Sequence, residues 1–217
     1  TIIHTAAESA LEVVKQQREN PQAIHMENYF IQQQQDSRVD LTQINLGAAF
    51  ARDDVAVTLQ AAGAKCYTSG FYHTTRDNQY VDHHIDVLHQ AAHTESDMLY
   101  KGIIDKKSRA VFNGRLHVAA GAQKIQAVQG NHHLLLSAQA EAYSKPELEI
   151  YADDVKCRHG ATTGQIDQDA LFYLRARGIP QTEAIGILLK SFAEDILQRI
   201  QHGAIKDYIT GQVHHAK

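Results

Sequence analysis

The stretch Tyr151-Ala-Asp-Asp-Val-Lys-Cys-Arg-His-Gly-Ala-Thr-Thr-Gly164, continued by Asp167 to Gly178, decides the fold. Short alternating segments stop there and a helical period begins. Residues 154–161 read as extended, and side chains in a strand alternate between faces. Cys157 and His159 therefore share one face, while Lys156 and Arg158 take the other. A thiolate and a neutral imidazole nitrogen suit zinc, copper or iron–sulfur chemistry. Two donors do not close a site, so the remainder must come from elsewhere.

Upstream, from Ile24 to about Gly164, short extended pieces follow one another. Ile24-His-Met-Glu-Asn-Tyr-Phe-Ile31, Val39–Leu46, Val55–Leu59, Tyr80–Leu88, Met98–Ile104, Ala110–Val118, His133–Leu136 and Leu148–Tyr151 are examples. Several alternate apolar with polar residues, as strands with one buried face do. Many short strands fit a sandwich, a barrel or a solenoid. Two features favour the solenoid. Tight hairpin signals are nearly absent, since Asn113-Gly114 lies inside a strand-like run. Asn45, Asn113 and Asn131 also recur within strands, as polar residues do in the side-chain ladders of stacked rungs. Ala6 to Glu19 fits a helix or a strand.

Downstream, Asp167 is a fitting N-cap, and Leu171, Tyr173 and Leu174 share one side of a helix that ends at Gly178. Pro180 and Thr182 restart a helix in which Ile185, Leu188, Leu189, Phe192, Ile196, Leu197 and Ile200 form an apolar stripe. Lys190, Glu194, Asp195 and Arg199 lie outside it. The chain thus divides into a strand region, residues 1–165, and a helical module, residues 166–217, that is too small to fold confidently alone and must dock on the strands or a partner.

The 217 residues carry a net charge of −4, which gives no reason to expect nucleic acid or an anionic membrane as partner. No apolar run approaches the roughly 18 residues of a membrane span. Two cysteines argue against a disulfide framework and for a reducing cytoplasm. The start, Thr-Ile-Ile-His-Thr, has neither Met nor a signal pattern and reads as a cut through a longer chain. Of the 14 histidines, adjacent pairs such as His83-His84, His132-His133 and His214-His215 point to opposite faces in a strand, and most are expected at the surface. No nucleotide-binding loop, Ser-nucleophile elbow or zinc-protease motif occurs.

The block Asp154 to Pro180, Asp-Val-Lys-Cys-Arg-His-Gly-Ala-Thr-Thr-Gly-Gln-Ile-Asp-Gln-Asp-Ala-Leu-Phe-Tyr-Leu-Arg-Ala-Arg-Gly-Ile-Pro, resembles the C-terminal signature of the SufB/SufD family. These are scaffold subunits of the SUF iron–sulfur cluster assembly system. The likeness continues through Glu183-Ala-Ile-Gly-Ile-Leu-Leu-Lys-Ser-Phe-Ala-Glu194, and upstream through Asn113–Val118 and Ala138–Asp154. Gly160, where SufB-like chains tend to carry Glu, and Leu171-Phe-Tyr-Leu-Arg-Ala-Arg-Gly178 are similar to the SufD-like branch, of which this would be the C-terminal half.

The resemblance implies a right-handed parallel β-helix over residues 1–165, with Ala6 to Glu19 a strand. It implies no catalytic residues and no tightly bound cofactor in the isolated chain. It implies pairing with SufB at the β-helix edge near Cys157 and His159, where a shared iron–sulfur cluster forms. The C-terminal helices would bind the ATPase SufC, with Tyr173, Arg177, Lys190 and Glu194 as contacts and Phe172 capping the end of the β-helix. An isolated chain would pair with itself through the edge meant for SufB. For His159 the bland alternative is a bond to a backbone carbonyl; for Cys157 it is packing as a small hydrophobe. Cys66 is expected to be structural. Two other classes remain open: a β-helix carbohydrate-active enzyme using Asp82, Asp86 or Glu141 in a groove, and a protein with a metal site of its own.

Overall fold

A computed structural model describes the backbone of residues 1–215 and the side chains through Val213. The strands are β1 (Ile2–Thr5), β2 (Ala10–Gln17), β3 (Ile24–Gln33), β4 (Arg38–Asn45), β5 (Phe50–Leu59) and β6 (Lys65–Thr74). They continue as β7 (Tyr80–His89), β8 (Glu95–Ile104), β9 (Arg109–Val118), β10 (Ile125–Leu135), β11 (Glu141–Ile150) and β12 (Val155–Gly164). Three helices follow: α1 (Gln168–Ala176), α2 (Gln181–Leu197) and α3 (Gly203–His215).

Odd strands form one six-stranded sheet, β1-β3-β5-β7-β9-β11, and even strands the other, β12-β10-β8-β6-β4-β2. Every pairing is parallel. The chain therefore winds as a parallel β-solenoid of about five turns, each turn crossing from one sheet to the other. Parallel neighbours need crossovers and not hairpins, which is why tight hairpin signals are scarce in the sequence. The crossovers turn on residues with positive φ, among them Glu8, Asp36, Gly63 and His93. These turns stack: the Glu8 N–H donates to the Gln35 carbonyl, Asp36 to Ala62 and His93 to Gln123. Gly63 has no room for a side chain, because a Cβ there would sit 1.8 Å from Asp36 Oδ1.

Alternation sends every second side chain into the space between the sheets. Because the registers align, the inward residues stack in columns. Val39, Cys66, Ser96, Ala127 and Cys157 make one column, and Leu41, Thr68, Met98, Gln129 and His159 the next. The main core fills this space, from Tyr29 and Ile31 to Ile125 and Ala127. As expected, Cys66 is buried there. Asn45 and Asn131 face inward and are buried, but Asn113 faces outward and is half-exposed, so the three asparagines form no common ladder. Ala6 to Glu19 resolves to a strand, β2. Strand β6 is hard to read from sequence because its inward positions include Thr68, Gly70, Tyr72 and Thr74, which break the apolar alternation.

The helices fold back over the outer face of the even sheet. A second core joins Ile44, Phe71 and Ile103 of that face to Ala193, Ile196, Leu197, Ile200, Ile209 and Val213. Lys101 pairs with Asp195, and Arg199 with Asp97 at 3.1 Å. The Glu12 carboxylate accepts the backbone N–H of Gln201 at 2.6 Å and of His202 at 3.2 Å, just before α3. The apolar stripe of α2 thus docks on the strands. Helix α3 adds a third helix past the stripe that ends at Ile200. Helix α1 starts at its Asp167 cap, whose Oδ1 accepts from the Asp169 and Ala170 N–H groups. It packs against α2, with Leu171 its buried residue, and does not close the column: Phe172 is 73% exposed, so its expected capping role is overturned. The side chains of His214 and His215 lie outside the described residues.

Candidate functional site

The C-terminal end of the column is an open rim. Strand β12 bonds only to β10, and β11 only to β9, so the last rung leaves two strand edges without partners among the described residues. Unpaired edges template further strand pairing. Pro146 is tolerated in β11 for the same reason, since an edge strand need not offer every N–H. Tyr143, 53% exposed, and Tyr151, 62% exposed, add aromatic surface beside this edge.

Cys157 and His159 belong to this last rung. Both occupy inward columns, as their spacing predicted, and Lys156 and Arg158 take the outer face. Two residues of extended chain separate them by about 7 Å. The preceding members of their columns, Ala127 and Gln129, are buried. No further rung covers β12 among the described residues, so His159 is exposed and Cys157 only half-buried. The Cys157 thiol packs against the end of the main core. Burial pushes its pKa above the ordinary thiol value, and no cation offsets that. Among the described residues the His159 ring makes no hydrogen bond, which disfavours the simple backbone-bonded role. Gly160 faces outward, and a Cβ there would meet nothing within 4 Å, so a Glu at this position would point away from the Cys157–His159 pair.

The residues expected to meet a partner lie apart from this rim pair. Tyr173 on α1 and Arg177 at its C-cap are exposed, with the guanidinium 3.4 Å from the ring centroid. On α2, Lys190 is exposed beside a shallow cleft lined by Phe71, His73, Ile103, Gly186 and Leu189. Glu194 is half-buried and accepts a hydrogen bond from Gln198, so it offers less free surface than its place outside the stripe implied. The acids considered for carbohydrate chemistry are each engaged. Asp82 pairs with Arg52 at 3.0 Å and His84 at 3.0 Å, Asp86 with Arg115, and Glu141 with Arg109 at 2.6 Å. Asp82 lies on the odd sheet near a groove that Asp54, His84, Asp86, Arg115, Glu147 and Glu149 line, but no free acid pair spans it among the described residues.

One cluster was missed from sequence. His25, Glu27 and Asp53 meet on β3 and β5, several rungs before β12. His25 and Glu27 show the same two-residue spacing as Cys157 and His159, and that spacing was the signal available; Asp53 joins them only through strand register.

The class defined by this architecture is a parallel β-solenoid that carries a docked helical module and presents a thiol and an imidazole at an open end. The model of the SUF system FeS cluster assembly family, SufBD core domain, matches residues 1–192, and the chain belongs to that family. It is 33% identical over 211 residues to iron-sulfur cluster assembly protein SufD of Escherichia coli, covering 97% of this chain and 50% of that protein. It is 36% identical over 189 residues to the SufBD family protein slr0076 of Synechocystis, covering 86% and 41% respectively. A third relative, the chloroplastic protein ABCI7 of Arabidopsis thaliana, is 32% identical over 199 residues, covering 91% and 42%. The chain spans about half the length of these curated relatives. No helix among the described residues is long and apolar enough to cross a membrane.

Proposed function

We propose that this chain is a non-catalytic scaffold subunit in iron–sulfur cluster assembly that gives His159, and with it Cys157, to a cluster shared with SufB. The cluster is cargo, built at the subunit junction and passed on. The observation that carries this is the last rung: two soft donors face the inside of a column whose end stands open. A second column abutting β11 and β12 would pair their free edges, cover the exposed tyrosines and bring the donors that two side chains lack. SufC would take the outer surface of the helical module, through Tyr173 on α1, Arg177 at its C-cap and Lys190 on α2, with Glu194 at its margin. In the absence of SufB the same free edges favour a homodimer. The strand region 1–165 and the helical module 166–217 act as two functional parts on one shared fold.

Co-purification with SufB and SufC, followed by iron and sulfide analysis, tests this. His159→Ala is expected to leave the complex intact and to abolish cluster accumulation. Lys190→Glu is expected to weaken SufC retention while sparing SufB. A His159→Ala complex with normal iron and sulfide content would remove the imidazole from the site. Failure of the wild-type chain to retain SufB would remove the junction itself.

A further inference from the structure

Inside the N-terminal rungs, far along the column from Cys157 and His159, side chains of several strands converge on one point. Ligand atoms of His25, Glu27 and Asp53 lie within 4.8 Å of one another. Glu27 and Asp53 are register neighbours on β3 and β5, and His83 follows Asp53 in the same inward column. The Glu19 carboxylate accepts from His25 Nδ1–H at 2.9 Å. That bond fixes the tautomer and turns the Nε2 lone pair inward, 3.6 Å from Glu27 and 3.7 Å from Asp53. A carboxylate behind the imidazole is the usual support of a metal-binding histidine.

The second observation is a group of unspent donors. His25 Nε2 is buried without a hydrogen-bond partner, and so are both ring nitrogens of His83. The His83 side chain is 0% exposed, and its Nδ1 points at Asp53 Oδ2 from 3.7 Å. A fully buried imidazole with neither nitrogen satisfied costs stability. Asn45 Nδ2 steadies the Asp53 carboxylate at 2.8 Å. The one cation at the centre among the described residues is the Lys15 ammonium, which bonds Asp53 Oδ1 and lies 3.4 Å from Glu27. A long flexible stem makes lysine the easiest of these groups to withdraw. His25 and Glu27 are only partly buried, their side chains 19% and 23% exposed.

We propose that His25, Glu27 and Asp53, with His83 as a fourth donor, form a site for a divalent first-row transition metal, and that Lys15 holds the site when it is empty. Imidazole and carboxylate together suit Zn(II) or Fe(II) and disfavour Mg(II) or Ca(II), which prefer all-oxygen shells. Metal–nitrogen and metal–oxygen bonds of about 2.0–2.2 Å require only a slight contraction of the cluster. Exchange moves no electrons: the ammonium leaves with its proton as the dication enters between two carboxylates. All of its donors belong to this chain, and none is a residue of the rim pair.

Anaerobic titration of the purified protein with Co(II) tests this, since the visible spectrum of that ion reports its ligands. One equivalent with a nitrogen–oxygen spectrum is expected. Lys15→Met, which removes the competing charge, should tighten binding at least about tenfold. Glu19→Gln should weaken it about tenfold through the lost support of His25. Asp53→Asn and the partly exposed His25→Gln should each abolish it, and His159→Ala should not alter it. Circular dichroism on each variant separates loss of binding from loss of fold. Unchanged stoichiometry in both Asp53→Asn and His25→Gln, or no gain in Lys15→Met, would overturn the proposal. So would a thiolate-to-metal band, which would place the ion at Cys157.

Discussion

Cys157 and Cys66 sit in the same inward column yet differ in exposure. Cys66 is enclosed by rungs above and below, and burial pushes its thiol up to about 12. Cys157 has a rung on one side only, and its thiol is raised by the half-burial that remains. Thiolate, not thiol, is the nucleophile. Under native conditions at pH 8, iodoacetamide is therefore expected to modify Cys157 more slowly than a free small-molecule thiol and to leave Cys66 untouched. After unfolding, both should react at the free-thiol rate. Mass spectrometry of the timed reaction checks this, and native labelling of Cys66 at a rate near that of Cys157 would contradict the enclosed column.

The strand is where local sequence and packing meet most closely. Gly70 and Gly102 lie in β6 and β8, where glycine ordinarily weakens a strand. Their register partners explain them: Gly70 faces Tyr100, and Gly102 faces Tyr72. Each tyrosine ring lies across the neighbouring glycine, and a Cβ on Gly102 would stand 2.0 Å from Tyr72 Cε2. The rings in turn span the interior, with Tyr72 Oη 2.6 Å from His133 Nε2 and Tyr100 Oη donating to Gln43 at 2.8 Å. Gly102→Ala should displace Tyr72 and cost about 1–3 kcal/mol, as overpacked cores do. Urea unfolding measures it; a midpoint equal to that of the parent would show that the ring has somewhere else to go. Most strands are legible in the sequence because their inward residues are apolar. Strand β6 is not, because the interior there is built from tyrosine, threonine and glycine, whose pairing is visible only across rungs.

Over the whole molecule, the solenoid interior holds ionisable groups that a smaller core would exclude. His89 is buried, with Nδ1 2.7 Å from Thr94 Oγ1 and Nε2 2.8 Å from Ser96 Oγ. Burial lowers its pKa to about 4, and burial does the same to His133. Both are neutral in the native state, while in the unfolded chain they take up protons near the ordinary value of about 6.5. Between those limits the unfolded state binds more protons, so stability falls as pH falls. It is fully present above about pH 6.5 and declines towards pH 4, by a total on the order of a few kcal/mol. Urea midpoints taken at pH 7.5, 5.5 and 4.5 should decrease in that order, and a flat profile would show that the histidines reach solvent in the native state.

Sequence by itself determined the periods of this protein: residues alternating two by two up to Gly164, then a helical stripe, with Cys157 and His159 on a common face. These are properties of neighbouring residues, and backbone geometry alone enforces them. Scarce hairpin signals already favoured the solenoid, and the family likeness added the parallel β-helix and the link to iron–sulfur cluster assembly. Tertiary structure decided what depends on rungs some thirty residues apart. It left His159 bare and Cys66 sealed although both face inward, since exposure depends on whether another rung follows. It turned Phe172 outward because α1 leans on α2 and not on the column end. It gathered Lys15, His25, Glu27 and Asp53 at one point, with His83 beside Asp53, because register between parallel strands, and no local spacing, chooses which distant residues become neighbours.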